Sequence, residues 1–120
     1  MATLTLTAAV KKSDDTLVSS IMDTFTAVAT ITQEIHELFT LPKNTSIDYN
    51  FGSVTGIQVL IVRVLNTGST VSLNLNGTLV LTPIPQVIGG GLFIVFGTVT
   101  KLSIDNDNTL DATIEVYAAG

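Results

Sequence analysis

At 120 residues the chain has the length of one domain and can bury one hydrophobic core, not two. Charged residues make up 12% of it, about half the ~25% of an ordinary domain. The five basic residues, Lys11, Lys12, Lys43, Arg63 and Lys101, form no stripe within a net charge of −5, which argues against nucleic acid as a partner.

Cysteine is absent, so disulfides and thiolate metal sites are excluded. The first residues lack the basic start and apolar run of a secretion signal. The longest strongly apolar piece, Val87–Phe96, is broken by Gly89, Gly90 and Gly91 and falls short of the ~20 residues of a membrane span. The expectation is a protein made in the cytoplasm with no membrane partner. Asn44-Thr45-Ser46 and Asn76-Gly77-Thr78 match the glycosylation triplet, which has no use without a secretory route.

The elements follow in chain order. Thr3, Thr5 and Thr7 alternate with Leu4 and Leu6, which predicts an edge strand or N-terminal arm within residues 1–10 that can pair with a neighbour's sheet. Lys11-Lys12-Ser13-Asp14-Asp15 reads as a turn, and Leu17, Val18 and Ile21 as a short apolar segment. From Asp23 to Leu41 two periods compete. Val28, Ile31, Ile35, Leu38 and Phe39 recur at helical spacing, but six threonines lie between Thr16 and Thr40. Threonine is stiff at χ1 and a poor helix former, so two strands are expected. Pro42 closes the second. Ile47, Tyr49 and Phe51 alternate with Asp48 and Asn50, predicting a strand that stops at Gly52.

The stretch Ile57–Thr82 predicts two or three strands folded back on one another. Val59, Ile61 and Leu65 alternate with Leu60, Val62 and Val64, so this strand is apolar on both faces except at Arg63. Such a strand needs cover on both sides, here expected partly from another subunit, with Arg63 at a rim or paired with an acid such as Asp48 across an interface. After a turn at 66–69, Val71, Leu73 and Leu75 alternate with Ser72, Asn74 and Asn76. Asn76-Gly77 then supplies a tight hairpin, with Leu79 and Leu81 returning the apolar face.

Gly89-Gly90-Gly91 forms a corner. Leu92–Phe96 is again apolar on both faces, and a strand continues to Ile104. Asp105-Asn106-Asp107-Asn108 is a turn by composition, and Ala112, Ile114 and Val116 alternate with Thr113, Glu115 and Tyr117. About eight strands at ~8–12-residue spacing predict an all-β fold: a single antiparallel β-sandwich, jelly-roll-like, over residues 1–120.

Chemistry is sparse. His36 is the only histidine, and on a strand it shares a face with Glu34, but nothing else converges to complete the three or four ligands of a zinc site. Asp105, Asp107 and Asp111 space like calcium ligands, yet Leu110 stands where an EF-hand needs Gly and Val116 where it needs Glu. The glycine triplet lacks the Lys-Ser/Thr of a phosphate loop. No serine has a partner set for nucleophilic catalysis. With no Trp and only Tyr49 and Tyr117, aromatic platforms for sugars are scarce. The expectation is no catalytic, cofactor-binding or metal-binding residue, no small-molecule substrate, and no enzyme.

Phe39-Thr40-Leu41-Pro42, Ile47-Asp48-Tyr49-Asn50-Phe51-Gly52, Gly91-Leu92-Phe93-Ile94, Leu102-Ser103-Ile104-Asp105-Asn106 and Ala112-Thr113-Ile114-Glu115-Val116-Tyr117-Ala118-Ala119-Gly120 resemble the turns and strands of small all-β virion structural proteins of tailed bacteriophages. The resemblance implies a particle component made in the host bacterial cytoplasm. It further implies a head decoration, or cement, protein seated as a homotrimer on the major capsid protein. A tail, baseplate or fibre component and a carbohydrate-binding sandwich module are the alternatives. The contact residues expected for such a role are Thr3, Leu4, Thr5, Leu6 and Thr7, then Val59, Ile61, Arg63 and Leu65, then Leu92, Phe93 and Ile94.

Overall fold

In a computed structural model of the chain, residues 2–13, 18–76 and 84–120 are described, and every regular element among them is a β-strand. The chain divides into two compact units, residues 1–31 and residues 32–120. The first unit therefore extends well past the ten-residue arm predicted within a single domain.

Unit one is an antiparallel ribbon of β1 (Ala2–Ser13) and β2 (Val18–Ile31). Thr3, Thr5, Thr7, Thr26 and Thr30 are exposed, while Leu4, Leu6 and Ala29 are half-buried, so the predicted alternation holds. The threonines also settle the competition of periods: β2 runs to Ile31 as a strand, not a helix. β1 differs from expectation at its far end, continuing through Lys11 and Lys12 to Ser13 where a turn was predicted.

Unit two holds β3 (Glu34–Leu41), β4 (Thr45–Asp48), β5 (Ile57–Val64), β6 (Thr70–Asn76), β7 (Gln86–Ile88), β8 (Leu92–Val99), β9 (Lys101–Asn106) and β10 (Ala112–Ala119). They form two four-stranded antiparallel sheets, β3-β10-β5-β8 and β4-β9-β6-β7. Period-two alternation gives each sheet one apolar face. Leu60, Val62 and Val64 of β5 and Ile114, Val116 and Ala118 of β10 meet Val71 and Leu73 of β6 and Leu102 and Ile104 of β9 in one cluster, all fully buried. Each of the larger side chains contributes about 1.5–3 kcal/mol by leaving water.

β5 and β6 do not fold back on one another as the stretch 57–82 was expected to. β5 and β6 lie in opposite sheets, and β5 pairs instead with β10 and β8. The reason sits in the intervening loop. Asn66 accepts a hydrogen bond from the Thr113 amide (2.8 Å) and donates to the Asp111 carbonyl (2.9 Å), and the Leu65 amide donates to the Thr113 carbonyl (2.9 Å). The end of β5 is thereby clamped to the start of β10, and the chain then crosses to the other sheet. The predicted hairpin at Asn76-Gly77, with Leu79 and Leu81, lies outside the described residues.

Tyr49 and Phe51 are buried as their alternation predicted, but they follow β4 in irregular chain. They join the core, with Tyr49 stacked on Phe39 of β3 (5.8 Å between centroids) and edge-on to Phe51 (5.3 Å). The glycine corner is the turn between β7 and β8. A Cβ at Gly89 would fall inside the Asn66 carbonyl oxygen, and Gly90 takes φ +83°.

Asn106 is fully buried where the chain passes from β9 toward β10. The Asn106 amide group donates to the carbonyls of Leu41 (3.1 Å), Pro42 (3.3 Å) and Leu110 (3.1 Å), and its oxygen accepts from Asn108 (3.1 Å from the backbone amide, 3.0 Å from the side chain). Asn106→Ala strands buried carbonyls without a donor, which costs about 1–3 kcal/mol for each group left unpaired. Guanidinium unfolding of this variant is expected to show a loss of about 3 kcal/mol, and a loss within error of zero would refute the clamp.

Candidate functional site

The face of β3-β10-β5-β8 turned away from the core is built from three rows of opposed residues. Register places Leu38, Glu115, Arg63 and Leu92 in the first row and His36, Tyr117, Ile61 and Ile94 in the second. Glu34, Ala119, Val59 and Phe96 make the third. His36, Ile61, Arg63, Leu92, Glu115 and Tyr117 line an open depression of about 340 Å³ on this face.

Glu115 stands at its centre. One carboxylate oxygen meets the Arg63 guanidinium at 2.6 Å and the other meets His36 Nε2 at 2.8 Å. Opposed positions on adjacent antiparallel strands lie about 4.5–5.5 Å apart at Cβ, so the exposed Arg63 reaches Glu115 across a single strand spacing. The His36 hydrogen bond, first, holds the Glu115 carboxyl below its ordinary range; burial opposes it, and the charge and hydrogen bond of Arg63 add to the lowering. Tyr117 donates its hydroxyl to Glu34 (2.8 Å) and meets the His36 ring edge-on, 6.2 Å between centroids. Partial burial and the Glu34 carboxylate push its phenol up to about 12.

A second depression, about 290 Å³, is lined by Glu37, Phe39, Ile47, Asp48, Tyr49 and Asn50. There the Tyr49 hydroxyl donates to Glu37 at 2.5 Å, and burial followed by that carboxylate raises the phenol.

What can such a face do? Among the described residues no group of three His, Cys, Asp or Glu is placed to hold a metal, and no buried side-chain polar atom lacks a partner. The acidic turn is occupied internally, Asp105 accepting from Ser46 (2.6 Å) and Asp111 from the Lys43 amide (3.0 Å). On the outer face the central charges already neutralise one another, while Leu38 and Leu92 stand 63% and 55% exposed beside them. A surface that covers this face removes paired rather than bare charges from water, which lowers the desolvation penalty. It is a surface suited to docking.

The predicted contact residues separate on this geometry. Ile61, Arg63, Leu92 and Ile94 come together on the outer face, and Leu65 lies 38% exposed just past the end of β5. Thr3, Thr5 and Thr7 share one face of the ribbon, and Leu4 and Leu6 the other. Val59 and Phe93 are corrections. Val59 is fully covered within the chain, and the pleat of β8 turns Phe93, opposite Val62, toward the core. Cover for β5 from another subunit is thus left to Ile61, Arg63 and Leu65. Arg63 pairs with Glu115 of its own sheet, not with Asp48. Asp48 lies in the other sheet, where it accepts from Ser103 (2.6 Å) beside Lys101 (3.8 Å).

Glu115, Tyr117, Leu38 and the pairing of His36 went unseen as site residues. The signal available was the polar phase of the last alternation, Thr113-x-Glu115-x-Tyr117. No protein-family model matches this sequence, and no curated protein matches it.

Two titrations test the cluster. The Glu115 carboxylate is favoured by folding, so its contribution is full above the ordinary value of 4.5 and is lost as pH falls through the lowered one. Melting temperatures of the unmodified protein are therefore expected to fall more steeply with acid than those of Glu115→Gln; parallel curves would contradict the pairing. For Tyr117 the neutral phenol is favoured, so its contribution is full below 10 and is lost toward 12. Phenolate absorbance is expected to appear late in alkaline titration and earlier in Glu34→Gln.

Proposed function

We propose that the chain is a virion structural protein of a tailed bacteriophage, a head decoration protein that binds the major capsid protein as a homotrimer. The observation that carries this reading is the outer face of β3-β10-β5-β8. A sandwich with a complete core presents, on its far side, exposed Leu38 and Leu92 around an internally neutralised Arg63–Glu115–His36 chain. A decoration protein works by adding buried area across capsomers that packaged DNA forces apart. Each ~100 Å² of apolar surface supplies about 2.5 kcal/mol before the losses of association.

Strand order supports the same reading. Counted from β3, the sheets take the first, eighth, third and sixth strands and the second, seventh, fourth and fifth, an order that fits a jelly roll, the architecture of many viral coat domains. The sequence resemblance to small phage virion proteins points the same way. The carbohydrate alternative draws little from this face, because Tyr117 is half-buried with its hydroxyl tied to Glu34.

The test uses full-length protein and DNA-free expanded heads of the phage that encodes it. Saturable co-sedimentation that raises the temperature of shell disruption is expected. Leu92→Asp is expected to weaken it by about tenfold, on the order of 1.4 kcal/mol. Light scattering is expected to report three chains of 12.6 kDa. A monomer that does not bind shells would refute the reading, and binding confined to isolated tails would move the protein there.

A further inference from the structure

β3 ends its sheet, and among the described residues its one ladder runs to β10. The phase of that ladder is set just before β3 begins. Gln33 and Gly120 exchange both backbone hydrogen bonds, Gln33 donating at 2.9 Å and accepting at 3.0 Å. Such pairs alternate along an antiparallel ladder, so Ile35, Glu37, Phe39 and Leu41 bond toward β10. Glu34, His36, Leu38 and Thr40 therefore turn N–H and C=O to the open edge. Edges are normally guarded by lysine, proline, a bulge, shortness or inward charge. β3 runs eight residues in unbroken register without lysine or proline. β4 and β7 are short, at four and three residues, and the ladder of β8 shifts register. The guard on β3 is Glu37, a charge in the inward phase beside Ile35 and Phe39.

That edge borders the second depression, of about 290 Å³, which lies between β3 and β4. Its lining is apolar at the half-buried Phe39 and Ile47 and the buried Tyr49, and acidic at the exposed Glu37 and Asp48. Asp48 has Lys101 at 3.8 Å, but among the described residues no cation pairs with Glu37 or Glu34. Each accepts a hydrogen bond from a tyrosine, Glu37 from Tyr49 and Glu34 from Tyr117. A neutral or acidic strand laid along β3 would cover Glu37 without giving it a counter-charge. A strand with a cation opposite Glu37 supplies one. The same carboxylate repels one class of strand and admits another.

We infer that the edge of β3 receives an extended segment of a basic partner protein as an added strand. A lysine or arginine stands opposite Glu37 and an apolar residue opposite Phe39, over the depression. Positions two apart share a face of a strand, so the pattern recognised is a cation and an apolar residue separated by one. Backbone bonds to His36, Leu38 and Thr40 supply affinity, and the alternate side chains supply specificity. The net charge of −5 favours the approach of such a partner. A second copy fits less well, because the sandwich edge strands β3, β4, β7 and β8 contain no lysine or arginine. Val10-Lys11-Lys12 of β1 has the pattern, but the register of β1 breaks on both sides of Val10, which denies it an even ladder. The inference goes beyond the decoration reading and does not rest on it.

The probe is the end-blocked peptide Thr-Val-Thr-Lys-Thr-Val-Thr, which sets Lys opposite Glu37 and Val opposite Phe39 whether it adds parallel or antiparallel. It is titrated into the full-length, nitrogen-15-labelled protein. Saturable binding is expected, with hydrogen exchange slowed several-fold at the His36, Leu38 and Thr40 amides. The Ile35, Glu37 and Phe39 amides, already in the ladder to β10, are expected to change less. The same peptide with Glu in place of Lys is expected to bind about tenfold more weakly, and Glu37→Gln to abolish that preference. Thr40→Pro removes an outward N–H and leaves the ladder to β10 intact, so it is expected to weaken binding several-fold. Should that variant fail to fold, the amide map and the two peptides decide.

Equal binding of the two peptides, no binding of either, or protection confined to other strands overturns the inference. A change of scattering mass in Glu37→Gln or Thr40→Pro means that a second copy holds the edge, which overturns the basic partner as well. None of these results bears on the decoration reading, which shell binding judges separately.

Discussion

Two asparagines hold the sandwich in its order. Asn106 ends β9 in one sheet and reaches the carbonyls of Leu41 and Pro42 at the end of β3 in the other. Asn66 follows β5 and clamps the start of β10. A primary amide carries two donor hydrogens and an acceptor oxygen on one short side chain, so it can donate to carbonyls and accept from an amide at one point. A carboxylate would face those carbonyls with like polarity, and an apolar residue would leave them bare. Both asparagines lie where chain passes between sheets, the places that sheet hydrogen bonding cannot reach. With β10 fixed beside β5 and β3, the rows of the outer face are also fixed.

Those rows explain how a low-charge protein keeps its few charges useful. Arg63, Glu115 and His36 come from three adjacent strands, β5, β10 and β3, and each reaches the next across a single strand spacing. The carboxylate lies between two nitrogen donors, and it is the least exposed of the three, at 26%. Leucines at the two outer positions of the same row, Leu38 and Leu92, leave an apolar margin on either side. The result is a polar seam within an oily face. A partner that docks there gains area from the margins and orientation from the seam.

Much of this order is legible in local alternation alone. Val71, Leu73 and Leu75 against Ser72 and Asn74, and Ala112, Ile114 and Val116 against Thr113 and Glu115, are strands with the faces their pattern predicted. The threonine crowding at 24–32 selected strand over helix correctly. Pairing was hidden, because the residues that meet are far apart in sequence: Arg63 finds Glu115, and Tyr117 finds Glu34. The two-sided apolarity of β5 had a mixed cause. Leu60, Val62 and Val64 fill the core and Val59 is covered within the chain, leaving only Ile61 half-open on the second face. Tyr49 and Phe51 show the converse ambiguity, since alternation also arises where irregular chain turns side chains into the core.

The strand order carries a consequence for how the molecule comes into being. Among the described residues β3 is the first strand of the sandwich in the chain, and its one ladder partner, β10, is the last. Among the described residues, of the consecutive strands in this unit only β6 and β7 pair with each other. At ~5–20 residues per second, a ribosome holds β3 and the strongly apolar β5 without their central neighbour for on the order of ten seconds. The β3-β10-β5-β8 sheet cannot be completed until Ala112–Ala119 emerges, because that strand joins β3 to β5. The sheet therefore closes late, with the slow, non-local folding kinetics that such pairing imposes.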